Sequence, residues 1–126
     1  MSGSTYEYAL LRVVPRVDRG ELINAGVVLY CQALDFLGAR TDLDEARLRA
    51  LDQDVDPAAV RAALAAVVAV CDGDPSAGPA GTGPRGVRFR WLTAPRSTIV
   101  QPGPVHGGLT ADPAAQLEHL VDSLVR

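Results

Sequence analysis

The sequence predicts an α+β fold in which a mainly antiparallel sheet of about five strands packs against three helices. Three observations support this prediction: two N-terminal stretches alternate as strands do, a middle stretch repeats apolar residues at helical spacing, and Asp-Pro pairs precede two predicted helices. The chain has 126 residues, of which 48% are hydrophobic and 21% are charged, as in one ordinary globular domain. We therefore expect a single domain spanning residues 1–126.

Three strands are predicted in the first forty residues. Residues 6–14 alternate between two largely apolar faces, and Pro15 ends this strand because proline lacks a backbone donor. A turn at Asp18-Arg19-Gly20 leads into a second strand over residues 25–32, which is rich in β-branched and aromatic side chains and forms a hairpin with the first. A short third strand over residues 35–40 follows as a meander.

Three helices are predicted from capping residues and apolar spacing. The first follows Thr41 or Asp42 as N-cap and ends near Leu51. The second begins at Asp56-Pro57 and buries one face, formed by Val60, Leu64, Val67, Val68 and Cys71. The third begins at Asp112-Pro113 and buries an apolar stripe, formed by Leu117, Leu120, Val121, Leu124 and Val125.

The segment between the second and third helices is predicted to hold a connection and two strands. Residues 72–86 contain five glycines and three prolines, which indicates a flexible connection rather than a folded element. In residues 87–91 Val87, Phe89 and Trp91 alternate with two arginines, which is typical of a strand with one buried face. A further strand is expected over residues 97–101, followed by a loop around His106.

Composition excludes several classes of protein. No signal peptide and no apolar run of about 20 residues is present, so a cytoplasmic protein outside the membrane is expected. Cys31 and Cys71 are the only cysteines and are expected to be buried free thiols of a reducing compartment. Two histidines and two distant cysteines make a poor zinc set, and phosphate-loop and hydrolase motifs are missing. We therefore predict no metal and no cofactor, and whether the chain is an enzyme stays open.

Candidate binding residues fall into two clusters. The first lies around the N-terminal hairpin turn and comprises Arg12, Arg16, Arg19, Glu21 and Asn24. Arginine forks suit carboxylate or phosphate recognition, although the turn residues can equally form exposed ion pairs with each other. Arg12 is the most informative residue, because it shares an otherwise apolar strand face where an unpaired charge is expensive.

The second cluster precedes the last helix and comprises Arg96, Ser97, Thr98, Gln101 and His106. A histidine beside Gly107-Gly108, just ahead of a helix N-terminus, could bind an anion or transfer a proton, or it could only fix the loop through a backbone hydrogen bond. A nucleophile pair of Ser97 with His106 lacks an evident third group. His119, on the last predicted helix, is expected at the surface.

Two stretches, YALLRVVPRVDRGELINAGVVLYC over residues 8–31 and APRSTIVQPGPVHGGLTADP over residues 94–113, resemble the bacterial domain-of-unknown-function family three-zero-three-seven. The resemblance spans nearly the whole chain. It implies no activity, because none is established for the family. Members are often encoded beside a protein similar to HipA-type kinases, so the resemblance implies a kinase-like protein as partner.

Three functions are compatible with these patterns. The first is a non-catalytic interaction or regulatory module, an accessory partner of a kinase-like protein. The second is a small enzyme or sensor that binds an anionic metabolite or nucleotide between Arg12, Arg16, Arg96 and His106. Nucleic-acid binding is the weakest, because the net charge is −3 and aromatic residues make up only 5% of the chain. An exposed edge strand could also support a homodimer.

Overall fold

The computed structural model describes residues 3–126. Within these residues five strands form one antiparallel sheet: β1 Ser4–Val13, β2 Ile23–Cys31, β3 Phe36–Thr41, β4 Val100–Pro102 and β5 His106–Thr110. The long central strand is β1, which pairs with β2 on one side and with both β4 and β5 on the other, while β3 lies beyond β2. The predicted α+β class with a mainly antiparallel sheet is confirmed.

Helices cover both faces of the sheet. The α-helices of the described part of the chain are α1 Glu45–Leu51, α2 Pro57–Asp72, α3 Arg85–Thr93 and α4 Pro113–Leu124, and a 3-10 helix spans Pro75–Gly81. One apolar core joins the sheet to α1, α2, α3 and the 3-10 helix, and a second core joins the opposite face to α4. We call these faces the α2 face and the α4 face.

A register shift in the β1–β2 pair decides which side chains share a face. Leu11 lies opposite Gly26, but the next residue of β1, Arg12, lies opposite Asn24, so Ala25 is an extra residue in β2. Such a bulge reverses the alternation on one side of it. Asn24 therefore shares the α4 face with Arg12, whereas regular alternation would place it with the α2-face residues further along β2.

The two Asp-Pro signals begin helices as predicted. Asp56 accepts a hydrogen bond from the backbone of Ala58 at 3.0 Å, and Asp112 accepts one from Ala115 at 3.1 Å. In each case proline follows at the first helical position, where no backbone donor is needed. The predicted stripe of α4 is buried except for Leu124, which is 38% exposed in the last turn.

The predicted N-cap of α1 is wrong. Asp44, not Thr41 or Asp42, caps this helix by accepting a hydrogen bond from Arg47. Thr41 is instead the last residue of β3, opposite Gly26, and the backbone of Asp42 donates to Ala25. Pairing with β2 therefore extends the strand and delays the start of the helix.

The predicted strand over residues 87–91 is wrong, because these residues form part of α3. In the helix Phe89 and Leu92 are buried, whereas Val87 and Trp91 are 61% and 49% exposed. Arg88 donates from Nη1 to the carbonyls of Val70 and Cys71 at 2.9 Å, at the C-terminal end of α2. A cation is favoured at the C-terminal carbonyls of a helix, and this tertiary contact supports the helix over the strand.

Two segments that were predicted without regular structure contain it. The glycine- and proline-rich segment 72–86 holds the 3-10 helix, which is capped by Asp74 and packs its Ala77 and Ala80 against the α2-face core. His106 is not in a loop but begins β5 opposite Tyr8. A Cβ at Gly108 would lie 2.7 Å from the Tyr6 hydroxyl, so the glycine makes room for a ring lying over the strand rather than for a turn.

Cys31 and Cys71 are free and buried, as expected. Within residues 3–126 no helix is long and apolar enough to cross a membrane. His119 is exposed, also as expected.

Burial of Cys71 predicts a loss of stability at alkaline pH. Burial raises the pKa of this thiol to about 12, against an ordinary value of 9.0 in the unfolded chain. Between these values the unfolded chain loses the proton and the folded chain keeps it, so the free energy of unfolding falls by up to about 1.4 kcal/mol per pH unit. Urea unfolding measured from pH 9 upward should show a shallower decline for Cys71→Ala than for the wild type. Equal slopes would contradict the assignment.

Candidate functional site

An open apolar groove with a volume of about 560 Å³ is a prominent concave feature of residues 3–126. It lies on the α2 face at the edge of the sheet, where β4 ends and neither α2 nor α3 covers the strand completely. Its wall is mainly apolar and comprises Ala63, Ala66, Val67 and Val70 of α2, Ala77 and Ala80 of the 3-10 helix, Trp91 and Leu92 of α3, and Ile99, Val100 and Pro102 at β4. We refer to this feature as the groove.

Arg96 is the one charged residue among those lining the groove. Its guanidinium carbon lies 4.7 Å from the centre of the Trp91 ring, within the range of a cation–π contact. The same guanidinium donates to the carbonyls of Trp91 and Ala94. The groove therefore presents an exposed aromatic ring and a fixed positive charge side by side, next to apolar surface.

Large apolar side chains at the groove are partly open to water. Trp91 is 49% exposed and Ile99 is 39% exposed, and Ala66 of α2 is also exposed. Sequence reasoning missed these residues, because it placed Trp91 on the buried face of a strand. The available signal was the alanine-rich sequence of α2, whose small side chains leave a shallow surface beside larger neighbours.

A row of polar side chains crosses the opposite, α4 face of the sheet. Arg12 of β1 lies opposite Asn24 of β2 on one side and opposite Gln101 of β4 on the other. Side chains directly opposite in antiparallel strands lie on the same face, about 5 Å apart at Cβ. We call these three residues the Arg12 row. Three predicted site residues, distant in sequence, are thus brought together.

The Arg12 row contains unpaired polar atoms. Within residues 3–126, Nε of Arg12 and Oδ1 of Asn24 are buried and have no hydrogen-bond partner. Arg12 also forms no salt bridge with any of these residues. Asn24 donates from Nδ2 to the carbonyl of Leu124 at 3.3 Å, and Gln101 donates from Nε2 to Thr98 at 2.9 Å. A half-buried guanidinium without a counter-charge is costly to the fold.

Because a half-buried unpaired charge destabilises the folded state, we predict that Arg12→Met stabilises the domain. Methionine keeps the length of the side chain and removes the unpaired charge from a face shared with Tyr8 and Leu10, so we expect the free energy of unfolding to rise by about 1 kcal/mol. Denaturant unfolding measures the change, and Arg85→Met, at an exposed arginine, should stay within about 0.5 kcal/mol of the wild type. A clear loss of stability in Arg12→Met would show that the guanidinium supports the fold.

His106 shares the α4 face with the Arg12 row but is separate from it. Its ring lies 5.4 Å from the ring of Tyr8, centre to centre, and its side chain is exposed. Tyr8 precedes Arg12 by four residues along β1, which corresponds to about 13 Å. This distance separates the two backbones, and the Arg12 guanidinium itself packs on Gly103, between β4 and β5.

The remaining predicted site residues lie elsewhere. Arg16 pairs with Asp18 at 2.8 Å and Arg19 pairs with Glu21 at 2.7 Å, all exposed at the hairpin turn. The Arg16 guanidinium lowers the pKa of the Asp18 carboxyl by hydrogen bonding to it. These short-range pairs satisfy the turn residues among themselves, and such exposed pairs contribute only about 0–1 kcal/mol.

The proposed convergence of Arg12, Arg16, Arg96 and His106 on one ligand is wrong. Arg96 lines the groove on the α2 face, whereas Arg12 and His106 belong to the α4 face. The hypothetical pair of Ser97 with His106 is also wrong. Ile99, two residues after Ser97, accepts a hydrogen bond from the backbone of Val14, just beyond the C-terminal end of β1. His106 lies opposite Tyr8, six residues earlier along β1, which corresponds to about 20 Å.

Residues 3–126 contain no group of three or more histidine, cysteine, aspartate or glutamate side chains placed to hold a metal ion.

Comparison with known proteins gives one match. A family model described as "Protein of unknown function (DUF3037)" matches residues 8–125, the family that the sequence resembles. No curated protein and no solved structure matches the chain.

Proposed function

The chain belongs to the DUF3037 family of proteins of unknown function, and from this premise we propose that it is a non-catalytic interaction module that binds an apolar, acidic segment of a partner protein in the groove. The observation that carries the proposal is the combination of open apolar surface with Trp91 and Arg96 in contact. Tryptophan and arginine are the residue types most enriched among energetically dominant interface positions.

The walls of the groove favour a polypeptide over a small polar ligand. The groove borders β4, an edge strand that pairs only with β1 among the described strands, so the backbone of a bound segment has an edge to lie against. Few polar groups line the groove, whereas a binding site for a polar metabolite needs several.

Charge favours an acidic segment. Arg96 is the charged group of the lining, and residues 75–111 around it contain no acid. A carboxylate placed beside Trp91 would meet the positive charge of Arg96 in a partly dry site, where such a contact gains strength.

A kinase-like protein is the partner that the family's gene neighbourhood suggests. The crosslinking experiment below identifies the partner directly. A HipA-like kinase bearing an exposed segment of apolar and acidic residues would meet both requirements.

Site-specific photo-crosslinking in the native host tests the proposal. A benzophenone amino acid replaces Ile99 in the groove, and, as a control, His119, which is exposed on α4. We expect an adduct from position 99 only, and peptide mass spectrometry should locate the cross-link in an apolar segment that contains an acid.

Each outcome of the crosslinking bears on the proposal. An adduct to a protein other than a kinase would support the module and overturn the kinase assignment. No adduct at position 99, equal adducts at both positions, or an adduct only to a second copy of this chain would contradict the proposal.

A further inference from the structure

We infer that the Arg12 row is a second binding site, on the face opposite the groove, for an oxyanion carried by a small molecule, either a phosphate or a carboxylate. Arg12 supplies the charge, Gln101 supplies an amide, and Asn24 positions the guanidinium from behind. The inference goes beyond the protein-binding function proposed above and does not depend on it.

Arg12 differs from the other arginines because it has no ion-pair partner and is not fully exposed to water. The arginines paired with acids are Arg16, Arg19, Arg40, Arg61, Arg90 and Arg126. Arg88 also has an unpaired Nε, but its Nη1 donates to two carbonyls. Arg96 donates to the carbonyls of Trp91 and Ala94, and Arg47, Arg49 and Arg85 are exposed to water. Among residues 3–126, Arg12 is therefore the half-buried arginine whose guanidinium has neither a salt bridge nor a hydrogen bond to a carbonyl.

The neighbours of Arg12 are arranged to hold its side chain in place. A Cβ at Gly103 would lie 3.1 Å from both Nε and Cζ of Arg12, so the guanidinium packs directly on the backbone of a buried glycine. Gly103 is itself fixed to β1, because its backbone donates to the carbonyl of Leu10 at 2.8 Å. A side chain at position 103 would displace the guanidinium.

Asn24 complements the buried end of Arg12. Its Oδ1 is an unpaired buried acceptor, and Nε of Arg12, across the strand pair, is an unpaired buried donor. A small adjustment that joins them would satisfy both atoms and leave the terminal Nη groups for a ligand. The bulge at Ala25 is what brings Asn24 to this face, and bulges commonly re-aim a side chain next to a functional site.

An oxyanion is the ligand class that these groups fit. The planar guanidinium fork matches two oxygens of a phosphate or carboxylate, and the amide of Gln101 can donate to a third. Leu10, the nearest β1 residue on the same face, is partly buried against the core and would reduce the water around a bound charge.

Nuclear magnetic resonance with two inorganic or simple organic probes tests the inference. Sodium phosphate and sodium succinate are added separately to the 15N-labelled full chain at constant ionic strength, up to about 50 mM, a range that detects millimolar affinity. We expect saturable shifts of the Arg12 Nε–H and Gln101 side-chain amide signals with at least one probe. The probe that binds more tightly identifies the ligand as a phosphate or a carboxylate.

Variants separate a built site from a general charge effect. Arg12→Gln should abolish the Gln101 shift, Arg12→Lys should weaken binding about tenfold because the fork is lost, and Arg85→Gln should leave binding unchanged. Arg12→Gln removes an unpaired charge, so it should remain folded, and its amide spectrum verifies this. No saturable shift with either probe, or an equal Gln101 shift in folded Arg12→Gln, would overturn the inference.

Discussion

Replacing Phe89 by alanine is expected to lower the free energy of unfolding by about 3–5 kcal/mol, the usual cost of deleting a fully buried aromatic side chain. Phe89 is completely buried in the α2-face core and its ring lies 5.5 Å from the ring of Tyr30. A small domain is typically stable by only about 5–15 kcal/mol, so this single change removes a large share. Urea unfolding followed by circular dichroism measures the loss.

Val87→Ala is the matched control for Phe89→Ala. In α3 the Val87 side chain is 61% exposed, so its truncation should change stability by no more than about 0.5 kcal/mol. In a strand over residues 87–91 both side chains would share the buried face and both truncations would be costly. A large loss in Val87→Ala would therefore contradict the helix.

Replacing Ala66 by arginine is expected to weaken partner binding at the groove at least about tenfold, which corresponds to 1.4 kcal/mol. Ala66 is exposed and lines the groove, so the long arginine side chain would fill the apolar space that the segment needs without disturbing the core. The yield of the cross-link from position 99 reports the loss of binding.

Ala59→Arg is the control for Ala66→Arg. Ala59 is exposed on the same helix, does not line the groove, and lies about 10 Å from Ala66 along the helix axis. Both variants should unfold within about 0.5 kcal/mol of the wild type. Equal cross-link yields in the two variants would show that the groove is not the binding surface.

Most of the fold could be predicted because its signals are local. The alternation in β1 and β2, the Asp-Pro caps of α2 and α4 and the positive φ of Gly20 in the hairpin turn all follow from short stretches of sequence. The prediction was wrong where contacts between residues distant in sequence determine the secondary structure. Residues 87–91 alternate as a strand does, yet Arg88 binds the end of α2 and Phe89 packs on Tyr30, and together these contacts require a helix.

The candidate sites could be predicted only in part. Arg12 was identifiable because a charge interrupts an apolar strand face, and its partners Asn24 and Gln101 were named, but their alignment depends on a bulge and on β4 that alternation does not reveal. Arg16 and Arg19 were named for chemistry that nearby acids neutralise. The groove was missed, because it exists only once α3 replaces the predicted strand and leaves Trp91 at the surface.

We propose above that the groove binds a segment of a partner protein. The most direct test of this proposal is a titration of the 15N-labelled chain with a synthetic peptide that reproduces the segment cross-linked from position 99. Binding at the groove predicts that the backbone signals of Val67, Trp91 and Val100 shift most, while those of Arg12 and His106 stay nearly unchanged. Shifts centred on the α4 face, or no shift at saturating peptide, would contradict it.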